Sequence, residues 1–113
     1  MQIVNQTQNT LLAQKAFVAD SLVLRFIGLL RHDFLPEGEG LIITQCKSIH
    51  MFFMKFAIDV IFVDRKKNVV GLLRAIQPFR LSPYYWRSEY AIELPVGQID
   101  RTKTRLGDKI LWE

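Results

Sequence analysis

Apolar residues recur along the chain in short runs separated by turn-forming residues, a spacing typical of β-rich domains. The runs that predict strands are Leu11 to Ala19, Leu41 to Ile43, Ile58 to Val63, Val69 to Leu73, Tyr90 to Leu94 and Lys109 to Trp112. In Tyr90 to Leu94 the pattern alternates, which predicts a half-buried strand with Glu93 on the face opposite Ile92. Arg65 to Asn68 predicts a hairpin turn in which Asn68 can adopt a left-handed conformation.

One stretch has helical rather than strand spacing. Asp20 and Ser21 are good N-cap residues, and the apolar residues after them predict a short amphipathic helix from Ser21 to about Leu30. The remaining segments are predicted as a loop at His32 to Gly40, an irregular ordered loop at Gln77 to Arg87, and one or two helical turns at Ile99 to Leu106. The pattern favours a mostly β, compact sandwich or barrel-like fold with one short N-terminal helix, forming a single domain over residues 1–113.

Composition supports a self-sufficient core. Half of the 113 residues are hydrophobic and 12% are aromatic, which is enough to fold without disulfide or metal staples. Cys46 is the single cysteine, so no intramolecular disulfide can form, and this fits a reducing compartment. The N-terminal residues show no signal-peptide pattern, and no apolar run reaches membrane-spanning length. We therefore expect a cytoplasmic protein without membrane insertion.

The charge pattern bears on possible partners. The net charge of +4 and a pI near 9.5 mildly favour anionic partners. The basic residues are spread along the chain, with one local run at Arg65 to Lys67, so nucleic acid is not the expected partner. The segment from Phe79 to Arg87 mixes aromatic residues with arginines, which suits base stacking or a protein contact. We rank a core-capping loop first there, a protein contact second and nucleic acid third.

The stretch from Cys46 to Asp59 carries the most chemically suggestive residues. A Cys46 thiolate beside the His50 imidazole, oriented by Asp59, would make a nucleophile-and-base site. In an extended strand, however, Cys46 and His50 would lie roughly 13 Å apart, so this enzyme alternative requires a turn or bulge between them. A buried, unreactive Cys46 is the more ordinary interpretation.

A metal site is the second possibility for these side chains. Suitable ligand types occur at Cys46, His50, Asp59, Asp64 and Glu93. None of them falls in a recognised metal-binding spacing, so we expect neither a metal nor a cofactor.

The apolar run after His50 gives a third interpretation. Aromatic side chains such as Phe52 would form either plain core or the wall of a ligand site. Our main hypothesis is a non-catalytic binding module for a small ligand or peptide. The proposed ligand-binding residues are His50, Phe52, Met54, Asp59, Arg80 and Glu93. A buried Asp59 would need a donor, either Arg25, Arg80 or a backbone N–H group.

Six blocks, taken together and in order, resemble the family called domain of unknown function 192 from about Asp20 to Asp108. They are Arg25 with Gly28-Leu29-Leu30-Arg31, Glu37 to Leu41, Cys46 to Met54 with Ile58 to Asp64, Pro78-Phe79-Arg80, Glu93 to Gly97, and Leu106-Gly107-Asp108. The resemblance implies a β-sandwich or barrel-like fold and brings no established biochemical activity. Many members of that family carry export signals, and this sequence shows none.

Overall fold

The computed structural model describes residues 1–19, 35–52 and 54–113, and these form two β-sheets and a short helix. The strands are β1 (Ile3–Asn5), β2 (Thr10–Ala13), β3 (Lys15–Ala19), β4 (Glu39–Thr44), β5 (Ile58–Val63), β6 (Val69–Ile76), β7 (Tyr90–Leu94) and β8 (Ile110–Trp112). Helix α1 (Gln98–Arg101) lies where one or two helical turns are predicted. The mostly β prediction is confirmed, whereas the helix predicted from Ser21 to Leu30 lies outside the described residues.

The strands divide into a small and a large sheet. The small sheet has the order β2-β1-β8 and is antiparallel throughout. The large sheet has the order β3-β4-β7-β5-β6, in which β3 and β4 are parallel and the other pairs are antiparallel. Within the described residues neither sheet closes on itself, so the arrangement is two open sheets and not a closed barrel. Among the described residues there is no helix with the length and apolar character needed to span a membrane.

The single strand predicted over Leu11 to Ala19 is wrong, because the chain changes sheet at Gln14. The backbone N–H groups of Gln14 and Lys15 both donate to the Gly38 carbonyl, at 2.8 and 2.9 Å. The preceding strand, β2, belongs to the small sheet, and β3 pairs with β4 in the large one. This shared acceptor fixes the corner where the chain crosses between the sheets.

The hairpin between β5 and β6 is present as predicted, with one difference in its turn. Lys67, and not Asn68, takes the left-handed conformation, at φ 69°. The Asp64 side chain accepts the Asn68 N–H at 2.9 Å, and the Asp64 carbonyl accepts the Lys67 N–H. These bonds hold the turn around Lys67.

Two hydrophobic cores lie on opposite faces of the large sheet. The first fills the space between the sheets and includes Ile3, Ile92 and Ile99. The second lies under irregular segments and includes Met51 and Phe62. Strand β7 lies between β4 and β5 and is buried on both faces, so the half-buried strand predicted there is wrong.

A buried polar cluster joins the end of β1 to the turn before β8, on the side of the first core. The Asn5 amide donates to Thr104 Oγ1 and to Asp108 Oδ2, each at 3.0 Å. Asp108 Oδ2 also accepts from the Gln8 amide and the Arg105 backbone N–H. Burial alone would raise the pKa of Asp108, but these hydrogen bonds and the Arg105 charge hold that pKa below its ordinary value. Asp108 therefore cross-links β1 to the turn that precedes β8.

Candidate functional site

Two irregular segments pair with each other over the second core, and we call them the double loop. It comprises residues 45–52, 54–57 and 77–88, and its two halves run antiparallel. The backbone bonds between them are Tyr85 N–H to Lys47 O at 2.7 Å, Ser82 N–H to Ile49 O at 2.9 Å, Met51 N–H to Arg80 O at 2.8 Å and Phe79 N–H to Met51 O at 2.7 Å. The irregular loop predicted at Gln77 to Arg87 is thus one half of a hydrogen-bonded pair.

Side chains of the first half alternate between core and solvent. Ile49 and Met51 are buried in the second core, whereas Phe52 is exposed and His50 half-buried. The His50 and Phe52 rings stack with their centroids 5.1 Å apart. His50 also forms an antiparallel bridge with Leu81 of the second half. Residues that face each other across an antiparallel pair share a face, so His50 and Leu81 lie together on the outer surface.

The second half presents large apolar side chains to solvent. Phe79, Leu81, Tyr84 and Trp86 are each about two-thirds exposed. Phe79 also has a φ of 65°, in the left-handed region that bulky residues rarely adopt. Its N–H and the carbonyl of the next residue both bond to Met51, which fixes this conformation. An exposed ring on a strained backbone is a costly arrangement that the core does not require.

Cations accompany these rings. The Arg87 guanidinium lies 5.1 Å from the centre of the Trp86 ring. Lys47 Nζ donates to the backbone carbonyls of Trp86 at 3.1 Å and Ser88 at 2.9 Å, which holds a positive charge against the backbone of this segment. Arg80 is exposed in the same half as Trp86. The surface therefore combines flat apolar faces with positive charge.

The charge of the whole chain is concentrated here. Residues 45–57 and 77–88 contain four of the fifteen basic residues and none of the eleven acidic ones. The remaining positions hold eleven of each sign, so they are balanced, and the net charge of +4 belongs to the double loop. The apparent spread of basic residues along the sequence hides this partition, because nineteen residues separate the two segments.

A groove of about 240 Å³ opens beside Trp86 and is lined by Val70, Tyr84, Tyr85, Trp86 and Arg87. Tyr85 is half-buried there, with its ring tilted against that of Phe62 at 4.5 Å between centres, and burial raises the pKa of its hydroxyl. Its ring lies directly over Gly71, where a Cβ atom would come within 2.5 Å of Tyr85 Cε1. The absence of a side chain at Gly71 therefore allows Tyr85 to lie against the sheet.

Asp59 lies on the other side of the large sheet. Its carboxylate accepts three backbone N–H groups, from Ala75 at 2.9 Å, Gly97 at 3.1 Å and Ile99 at 3.0 Å. The sequence predicts Arg25, Arg80 or a backbone N–H group as the donor to Asp59, and the donors observed here are backbone N–H groups. They join β5 to a bulge in β6 and to the start of α1. The side chain is 1% exposed and acts as a cross-link within the first core.

Glu93 and Asp59 face in opposite directions. Val60 pairs with Glu93 and Asp59 with Leu94, and side chains alternate along each strand. Leu94 belongs to the first core, whereas Val60 belongs to the second. Glu93 is therefore buried on the second-core side, beneath the double loop. The sheet separates the two carboxylates, so they do not line one cavity.

Of the other predicted site residues, Met54 and Cys46 are buried in the second core. The Cys46 thiol donates to the Ser48 carbonyl at 3.2 Å, and the Ser88 hydroxyl donates to the Cys46 carbonyl at 2.7 Å. Asp59 lies across the sheet from Cys46, so a Cys46, His50 and Asp59 triad is not assembled. In the described part of the chain no three His, Cys, Asp or Glu side chains are grouped to hold a metal ion.

Comparison with known proteins gives the family. The protein-family model DUF192, described as Uncharacterized ACR, matches residues 3–112. The chain belongs to the DUF192 family. Among its curated relatives, a UPF0127 protein of Thermococcus sibiricus is 36% identical over 98% of this chain and 74% of the relative. A UPF0127 protein of Pyrococcus horikoshii is 35% identical over 97% of each chain.

Two solved structures share the fold of this DUF192 chain. A Novosphingobium aromaticivorans protein of unknown function superposes with a TM-score of 0.84 at 20% identity, over 99% of this chain and 84% of that one. A putative transcription regulator from Sinorhizobium meliloti gives a TM-score of 0.77 at 14% identity, over 97% and 89%. At these identities the likeness concerns the fold alone, so any function must be argued from the site.

Proposed function

We propose that this DUF192 chain, acting as one domain over residues 1–113, is a non-catalytic binding module for an anionic partner. The contact surface is the outer side of the double loop. The observation that carries the proposal is that the segments of the double loop contain four basic and no acidic residues, together with four exposed aromatic rings. Charged patches steer partners of opposite sign, and Tyr, Trp and Arg dominate binding hot spots.

The geometry also favours a surface over an enclosed site. Of the six residues proposed from the sequence, His50, Phe52 and Arg80 lie on the double loop outside the core. Met54 and Glu93 are buried beneath it, and Asp59 is held by backbone bonds on the far side of the sheet. Exposed rings and arginines at the surface suit an extended partner better than a small molecule held in a cavity.

A comparison of two charge-matched variants tests the proposal. One carries Arg80→Ala and Arg87→Ala in the double loop, and the other carries Lys66→Ala and Lys103→Ala at exposed positions elsewhere. Both lose two positive charges. Retention on immobilised heparin, a generic polyanion, should fall clearly for the first and stay near the parent for the second. Equal losses in both variants, or none in the first, would contradict the proposal.

A further inference from the structure

We propose that the partner is a single-stranded nucleic acid, whose bases stack on the exposed rings while its phosphates contact Lys47, Arg80 and Arg87. The inference rests on the proposed function and names the chemistry of its partner. Proteins that bind single strands combine a positive surface with aromatic side chains on which successive bases stack. The double loop presents both elements on one hydrogen-bonded pair of segments.

The kind of apolar side chain is the first argument. Among the exposed large apolar residues of the double loop, Phe52, Phe79, Tyr84 and Trp86 are aromatic and Leu81 is aliphatic. A peptide partner anchors its side chains in pockets, whereas a base needs only an accessible π-face. Rings that are two-thirds exposed offer faces more than they enclose pockets. This favours bases over the apolar anchors of an acidic peptide.

The placement of the cations is the second argument. Arg80 directly follows Phe79, and Arg87 directly follows Trp86 and lies over its ring. The Lys47 ammonium is held beside Trp86 by two carbonyl groups. In a nucleic acid each base is joined to a phosphate one sugar away, so alternation of rings and cations matches its chemistry. The double loop contains no acidic residue, so none of its own side chains repels a phosphate backbone.

The groove beside Trp86 is the third argument. Its volume of about 240 Å³ lies below the range of about 300–1,000 Å³ that is usual for drug-sized ligands. Tyr84, Tyr85 and Trp86 line it with Arg87. A groove this size with aromatic walls suits one flat ring of a longer molecule.

The experiment is a fluorescence anisotropy titration with four kinds of labelled probe. The first is single-stranded oligothymidylate of about 15 nucleotides, near the upper end of site sizes for stacking-type binding. Oligouridylate of equal length distinguishes an RNA source from a DNA source. An abasic oligonucleotide of that length keeps the phosphates and removes the bases, and a polyglutamate peptide replaces the nucleic acid by an acidic chain.

We expect the oligothymidylate or the oligouridylate to bind at least five-fold more tightly than the abasic and polyglutamate probes. Trp86→Ala should weaken that binding by about five-fold or more, the lower limit for losing one base stack. The matched control is Phe17→Ala, an exposed ring with Lys15 over it at 5.8 Å on edge strand β3, which should leave the affinity unchanged.

The salt dependence of binding reports the phosphate contacts. The logarithm of the affinity should fall with the logarithm of salt concentration with a slope near −2 for three phosphate contacts, and Arg87→Ala should reduce the magnitude of this slope by about 0.7.

The outcomes separate the two proposals. If the abasic or polyglutamate probe binds as tightly as the base-containing probes, and Trp86→Ala has no effect, the nucleic-acid inference is overturned while the anionic partner remains. Both proposals fail if no probe binds. They also fail if the double variant Arg80→Ala, Arg87→Ala binds the probes as tightly as the parent protein. Circular dichroism of each variant verifies that it is folded before it is scored.

Discussion

The first face of the large sheet and the double loop over its second face use polar residues in opposite ways. On the first face the buried Asp59 and Asp108 carboxylates accept several hydrogen bonds each and tie strands, turns and α1 together. On the second face the double loop turns its cations and rings toward solvent. Buried charge is costly unless it is hydrogen-bonded, so polar residues of the first face serve the fold. Exposed rings and strained backbone bring the fold no comparable gain, which points to binding.

The largest effect is expected where the first face loses its cross-link. Asp59→Ala leaves three backbone N–H groups without their acceptor, and each loss costs about 1 kcal/mol or more. The free energy of unfolding in urea should therefore fall by about 3 kcal/mol. Asp100→Ala, which removes an exposed carboxylate paired with Arg74, should change it by less than about 0.5 kcal/mol. A stable Asp59→Ala variant that loses polyanion binding would transfer the binding role to the first face.

A second effect connects the sheet to the double loop. Gly71→Ala places a Cβ against the Tyr85 ring, which must move and disturb the groove. Such overpacking should lower the free energy of unfolding by about 1–3 kcal/mol. In a Tyr85→Ala background the same substitution should cost much less, because the clashing ring is gone. Equal costs in the two backgrounds would show that Tyr85 does not rest on Gly71.

The pH dependence of stability should carry the signature of Asp108. Its pKa is lowered in the folded state, so its contribution is present above the pKa of the unfolded chain. That contribution is lost as pH falls through the lower, folded-state pKa. Asp108→Asn should therefore flatten the acid limb of a plot of unfolding free energy against pH. An unaltered acid limb in Asp108→Asn would contradict this role.

The smallest effect should have the opposite sign. Phe79→Gly relieves a left-handed backbone that costs about 1–2 kcal/mol, offset in part by the larger unfolded-state entropy of glycine. Stability should stay level or rise by up to about 1 kcal/mol, while the affinity for oligothymidylate falls because a base-stacking ring is lost. Phe17→Gly, in edge strand β3, should lower stability and leave that affinity unchanged. Loss of stability in Phe79→Gly would mean that this ring belongs to the core.

Local patterns predict much of this fold and less of its site. Hydrophobic periodicity predicts β5, β7 and the turn between β5 and β6, because strand spacing and turn chemistry are local. It misses the break at Gln14, since that corner depends on the Gly38 carbonyl from another segment. The face of the sheet on which Asp59 or Glu93 lies depends on strand register. A register shift of one residue would move the side chain to the opposite face.

The site shows the same limit. His50, Phe52 and Arg80 are each found from the sequence, and so is the loop from Phe79 to Arg87. Their union requires the pairing of Met51 with Arg80, which no local pattern contains. The absence of acidic residues from both segments is a signal that the sequence does hold. It becomes meaningful only when the two segments are known to be neighbours.

Amide chemical-shift mapping during titration with oligothymidylate or a heparin fragment tests the double loop most directly, because it surveys both faces at once. The largest shifts should fall on the double loop, at amides such as those of Lys47, Met51, Phe79 and Trp86. The chemical shifts of the Gly97 and Ile99 amides, which donate to Asp59, should not change during the titration. Shifts that cluster at Gly97 and Ile99, or on the small sheet, would contradict a binding surface on the double loop.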